Sequence, residues 1–175
     1  MESMITLAAV LQILIALAFV SIPLVRARYG AGALAATEAE LDRQNIPRSV
    51  LAENNIRFDA SGHETWAPLS IAVLVTALAV LNLTGSWGET LSWVLQPLVL
   101  LVNLFILYSN LTAERSVRAH FAKTGDPVLQ RIDVKAMLGA AERAFPSWVL
   151  PGLQNLRHVI VMGGSVAALV LLAIS

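Results

Sequence analysis

Four runs of almost unbroken apolar residues alternate with polar segments along the chain, at about 4–25, 66–83, 91–111 and 153–174. Each is close to the ~20 residues that a helix needs to cross the ~30 Å hydrocarbon layer of a bilayer. The pattern predicts an all-α integral membrane protein, a single transmembrane domain over 1–175 with four transmembrane helices. The third run is the most informative. No Gly or Pro separates it from Glu114-Arg115-Ser116-Val117-Arg118, so one helix is expected from Ser92 to Phe121. Inside it Gln96, Asn103 and Asn110 recur seven residues apart, which is about two helical turns with a drift of ~20° per step. Amides facing lipid would leave hydrogen-bonding groups unsatisfied, so this stripe is expected to face protein, within the bundle or of a partner, or water.

The two long polar segments, 26–65 and 112–152, are expected to hold short amphipathic helices. Thr37-Glu38-Ala39-Glu40 reads as a capping box, in which Thr37 and Glu40 satisfy each other's backbone donors, and Ile46-Pro47 reads as the stop. A second short helix from Pro47 would present Val50, Leu51 and Phe58, before a turn at Asp59-Ala60-Ser61-Gly62. In the later segment Asp126 is a natural N-cap with Pro127 at the first helical position. From there Leu129, Ile132, Ala136, Met137, Ala140 and Ala144 form one apolar stripe. Pro23, near the end of the first run, is expected either to kink or end that helix or to be tolerated at the span's end. Trp66, Trp87, Trp93 and Trp148 fall at run boundaries and read as interfacial anchors. The short link around Gly85–Gly88 forces the second and third spans into an antiparallel hairpin. In the fourth run, Gly163-Gly164-Ser165 with Ala167 and Ala168 permits close helix contact, within the bundle or with another subunit.

Composition agrees with the pattern. The 175 residues are 57% hydrophobic and 14% charged, with a mean hydropathy of +0.69, against about 25% charged in soluble domains. All twelve Lys and Arg fall between Arg26 and Arg57 or between Arg115 and Arg157, which four spans place on one side. The positive-inside rule then makes both long loops cytoplasmic and both termini external, in a multi-pass protein of the plasma (inner) membrane. The first basic cluster follows the first apolar run instead of preceding it. That order favours a retained helix over a cleavable signal peptide.

Candidate chemistry is sparse. With no cysteine, disulfides, thiolate metal sites and thiol catalysis are excluded. Asp59, His63 and Glu64 lack a metal-ligand spacing and read as a solvated turn. His120 and His158 could in principle ligate haem from two helix ends, and surface or headgroup-level histidines are the simpler reading. The deep polar groups Gln12, Thr76, Gln96, Asn103 and Ser165 hydrogen-bond but do not titrate, which argues against autonomous ion coupling. No phosphate loop, nucleophile elbow or H-E-x-x-H pattern occurs, so no catalytic, cofactor or metal residues are assigned and no nucleic acid is expected. Arg115, Arg118, Lys123 and Arg131 are candidates for contact with anionic lipid headgroups.

Two resemblances bear on function. Ile22 to Gly30, together with Arg118-Ala119-His120 and Thr124-Gly125-Asp126-Pro127, resembles the cytoplasmic segments of small four-helix MAPEG-type membrane enzymes, in a different order along the chain. That likeness implies an enzyme acting on a lipophilic substrate. In layout, with four spans, the stripe Gln96, Asn103 and Asn110, the helix from Asp126 and the Gly163-Gly164-Ser165 face, the chain resembles the accessory membrane subunit of mycobacterial Mce lipid importers. This second resemblance also fits the Ala-, Val-, Leu- and Arg-rich composition of actinobacterial proteins. It implies a non-catalytic accessory or regulatory subunit that stabilises a larger membrane complex, with membrane lipid and an importer permease as its partners.

Overall fold

The computed structural model describes residues 2–58, 60, 63–85 and 87–174, with the backbone alone at 63 and 64. The turn expected at 59–62 falls mostly outside the described residues, as do the side chains of His63 and Glu64. Among the described residues the fold is all-helical, without strands. Its elements are α1 (Glu2–Arg43), α2 (Ser49–Glu53), α3 (His63–Thr84), α4 (Gly88–Thr124), α5 (Pro127–Gln130), α6 (Val134–Arg143) and α7 (Gln154–Ala173). A π-helical turn, Trp148–Leu153, leads into α7, and its Leu150 has non-helical φ/ψ. Four helices are long and apolar enough to cross a membrane: α1, α3, α4, and α7 with its preceding turn.

α1 packs along both α3 and α7, and α4 closes the ring against α7 and α3. Small residues on α1, among them Ala8, Ala9, Ala16 and Ala18, are buried and let neighbouring backbones come close. The bundle core is formed by Ile15, Ala16, Ala18, Phe19, Ala72, Val75, Val99 and Val161. A smaller cluster of Ala8, Ala168 and Leu172 closes the end where α1 begins and α7 ends.

α1 runs well beyond its expected end. It has 42 residues, about 63 Å at 1.5 Å per residue, roughly twice what a bilayer core requires. Pro23 is buried inside the helix and does not end it. Thr37 is no N-cap either: it lies mid-helix, and its hydroxyl donates to the Ala33 carbonyl (2.8 Å). The physical reason is burial. Gly30, Ala33, Thr37 and Leu41 are all buried, with α6 packed along this half of the helix, so an Ala-rich helix is continued by its contacts where local signals favoured a restart.

The extended ends of α1 and α4, where the basic residues cluster, enclose a second core. It consists of Leu41, Ile46, Val50, Leu51, Phe121, Leu129, Ile132, Val134 and Met137. Its connections are built from helix caps. Asn45 takes a left-handed φ of 56°, the Ile46 N–H donates to the Leu41 carbonyl (2.9 Å) and the Asn45 N–H to that of Asp42 (3.0 Å). This is a Schellman motif, and its usual hydrophobic contact is Ile46 with Leu41 in the core. The same device ends α2, where Asn55 has φ 53° and Ile56 N–H donates to Leu51 (2.8 Å). Asp126 caps α5 through Val128 N–H (2.8 Å) as expected, but α5 stops after one turn. Asp133 then caps α6 through Ala136 N–H (3.0 Å), so the stripe from Leu129 is divided between two helices. Gln44 locks this junction to α1, accepting from the Asp133 N–H (2.8 Å) and donating to its carbonyl (3.4 Å).

Candidate functional site: two polar layers in the bundle

The first layer joins all four long helices. Gln12 Nε2 of α1 donates to Ser92 Oγ (3.1 Å) and to Gln96 Oε1 (3.4 Å) of α4. Asn82 Nδ2 of α3 donates to Gln12 Oε1 (2.8 Å) and to Ser92 Oγ (2.9 Å). Gln96 Nε2 donates to Ser165 Oγ of α7 (2.9 Å), and the Ser92 hydroxyl donates to the Gly88 carbonyl (2.8 Å). All five side chains are buried. In a membrane such contacts are worth roughly 0.6 to 2 kcal/mol each, because the alternative is a polar group in hydrocarbon. The layer holds amides and hydroxyls alone, so it fixes helix positions without carrying charge.

The α3–α4 turn brings the layer together. A Cβ built on Gly88 would lie 2.4 Å from the Asn82 backbone nitrogen, so only glycine admits this approach. Beside it, between α3 and α4, runs an apolar groove of about 190 Å³ lined by residues including Ile71, Val75, Leu78, Leu95 and Val102.

The second layer lies about 10 Å farther along α4, at Asn103. Asn103 is buried, and its Oδ1 lies 3.1 Å from His158 Nδ1 of α7. An amide oxygen only accepts, so Nδ1 carries the proton. Arg157 precedes His158, and both are half-buried. Asn103 Nδ2, Arg157 Nε and His158 Nε2 are buried atoms without a hydrogen-bond partner among the described residues.

The stripe expected on α4 is therefore incomplete. Gln96 and Asn103 face the bundle, whereas Asn110 is exposed. The seven-residue register is intact, but the neighbouring helices leave Tyr108 to Leu111 exposed, and from Leu104 to His120 none of its residues is fully buried. The Gly163-Gly164-Ser165 face is split in the same way. Gly164 is buried, with its missing Cβ 3.4 Å from the Ile15 side chain, while Gly163 is exposed with nothing within 4 Å. Trp66, Trp87, Trp93 and Trp148 are all exposed, and Trp148 meets Tyr29 edge-to-face with ring centroids 6.3 Å apart. Arg115, Arg118, Lys123 and Arg131 are exposed, and Arg118 pairs with Glu114 (2.7 Å). His120 lies ~25 Å along α4 from Asn103, the partner of His158, so the two histidines do not face a common metal. No cluster of three or more His, Asp or Glu that suits a metal ion is present among the described residues.

Sequence reasoning missed Asn82 and Ser92 as members of the first layer and Arg157 and His158 as members of the second. Asn82 and Ser92 sit near helix ends, where polar residues are ordinary. Their available signal was the short link between them, which brings the two ends together. The chain matches no protein-family model, no curated protein and no solved structure.

Proposed function

We propose that the chain is a non-catalytic accessory or regulatory subunit that docks on a larger membrane complex through the outer face of α4. The observation that carries this reading is the contrast between the two long helices. α1 has buried residues along its whole length, from Ala8 to Leu41, whereas α4 leaves 104–120 without one and exposes Phe105, Tyr108, Asn110 and Leu111. A helix held at both ends, by Asn103 with His158 and by Phe121 in the second core, presents that stretch as a rigid face. Helix association in lipid uses packing and interhelical hydrogen bonds, and this face offers aromatic surface and the Asn110 amide.

In this proposal the protein lies in the plasma membrane with the basic end cytoplasmic, α2, α5 and α6 form a small cytoplasmic head, and Arg115, Arg118, Lys123 and Arg131 meet anionic headgroups. The layout resemblance to Mce accessory subunits makes a lipid-importer permease the proposed partner. Purification of the native protein in gentle detergent, followed by mass spectrometry, tests it. A stoichiometric permease is expected; a lone 18.8 kDa species contradicts the reading.

A second reading, a small MAPEG-like enzyme on a lipophilic substrate, draws on the Asn103–His158 contact beside Arg157. Unchanged cellular lipid profiles in an Asn103→Leu variant that still accumulates would remove its site.

A further inference from the structure

We propose that Arg157, His158 and Asn103 form a binding site for the oxyanion of a membrane amphiphile, a phospholipid phosphate, between α4 and α7. The inference is independent of whether a partner docks on α4.

Asn103 lies 15 residues into α4, about 22 Å from Gly88, which places it within the span and short of its basic end. No acidic residue lies in the spans at this level: α4 has none between Glu89 and Glu114, and the chain has none after Glu142. Arg157 accordingly has neither an ion pair nor a hydrogen bond among the described residues, and its Nε is buried. A guanidinium in such a position calls for an anion.

The neighbouring groups suit the same ligand. Asn103, only 3% exposed, spends Oδ1 on His158 and keeps its two-proton Nδ2 unpartnered. His158 fixes the Asn103 amide through Nδ1 (3.1 Å). An amide N–H and a guanidinium together match the acceptor oxygens of a phosphate. Arg157 and His158 are half-buried and so lie at the edge of the bundle. There Leu156 and Val159 of α7 and Val102 of α4 are exposed apolar residues, compatible with acyl chains. This arrangement favours a lipid over free phosphate, and it is distinct from the exposed arginines of α4.

The test uses the full chain in phosphatidylcholine nanodiscs doped with phosphatidylglycerol, with retained lipid counted by native mass spectrometry. Wild type is expected to retain phosphatidylglycerol selectively. Arg157→Gln and Asn103→Leu should weaken retention at least tenfold, Arg157→Lys less, and Val166→Ala, on the exposed face of α7, should be unchanged. Equal retention by wild type and Arg157→Gln overturns the proposal. So does displacement of the lipid by inorganic phosphate at equal concentration, which would make the source a free anion. Should the variants not fold, the wild type alone decides: a thermal stabilisation by phosphatidylglycerol above that by phosphatidylcholine is expected, and equal stabilisation by both rejects the site.

Discussion

Gln12 is the residue on which most of the first polar layer depends. It takes part in three of the hydrogen bonds between helices, linking α1 to α3 and to α4. Gln12→Leu removes all three and leaves the Asn82 and Gln96 amides short of partners in an apolar interior. We expect a loss of about 1 to 3 kcal/mol, measured by denaturant unfolding in detergent. Ser165→Ala, which removes a single contact, should cost less. Glu40 makes a different residue-scale prediction, at the basic end. Its carboxylate accepts from Arg43 (2.6 and 2.8 Å) and Gln44 (2.8 Å), and these hydrogen bonds, that from Arg43 first, lower its pKa from 4.5 to about 2. A carboxylate depressed in the folded state adds stability above its ordinary pKa. That contribution is lost as pH falls from about 4.5 towards 2. Unfolding midpoints measured across this window should fall in the wild type, and Glu40→Gln should flatten the dependence. At this scale the deep polar residues of the first layer were partly legible, since an amide or hydroxyl in an apolar run must find a partner. Which partner it finds was not legible, because Gln12, Asn82 and Ser92 meet only through tertiary packing.

Among the elements, the α3–α4 hairpin depends on one glycine. Gly88→Ala forces a Cβ to within 2.4 Å of backbone, which no side-chain movement relieves. We expect this variant to open the turn and lower the melting temperature sharply, whereas Gly163→Ala, with open space around it, should melt like wild type. An equal response of the two would contradict the assignment of Gly88 as the close-approach site. The second core has its own test. Met137 is fully buried between α6 and the ends of α1 and α4, so Met137→Ala should cost about 2 to 5 kcal/mol in thermal or denaturant unfolding. Existence and type of the long helices could be read from hydropathy, and the α5 start from Asp126-Pro127. The extent of α1 could not, because Thr37 and Glu40 carry a capping pattern that burial against α6 overrides. The two Asn-Ile pairs that end α1 and α2 were readable signals: each places an Asn at the left-handed position and an Ile back on the core.

The molecule as a whole has two cores joined by two long rods, and the rods differ in how they are used. α1 has buried residues along its whole length, while α4 has none from 104 to 120. The seven-residue spacing of Gln96, Asn103 and Asn110 defined a face but not how far neighbouring helices extend along it, and this is why Asn110 is exposed. Our account makes the uncovered face a docking surface, and photo-crosslinking tests that claim most directly. A photoreactive residue at Phe105 or Tyr108, carried in the native membrane, should capture one membrane subunit in stoichiometric yield. The same probe at Val170, on the exposed face of α7, should not. Crosslinks to lipid alone from Phe105 and Tyr108, with the chain migrating as an 18.8 kDa monomer, would contradict the account.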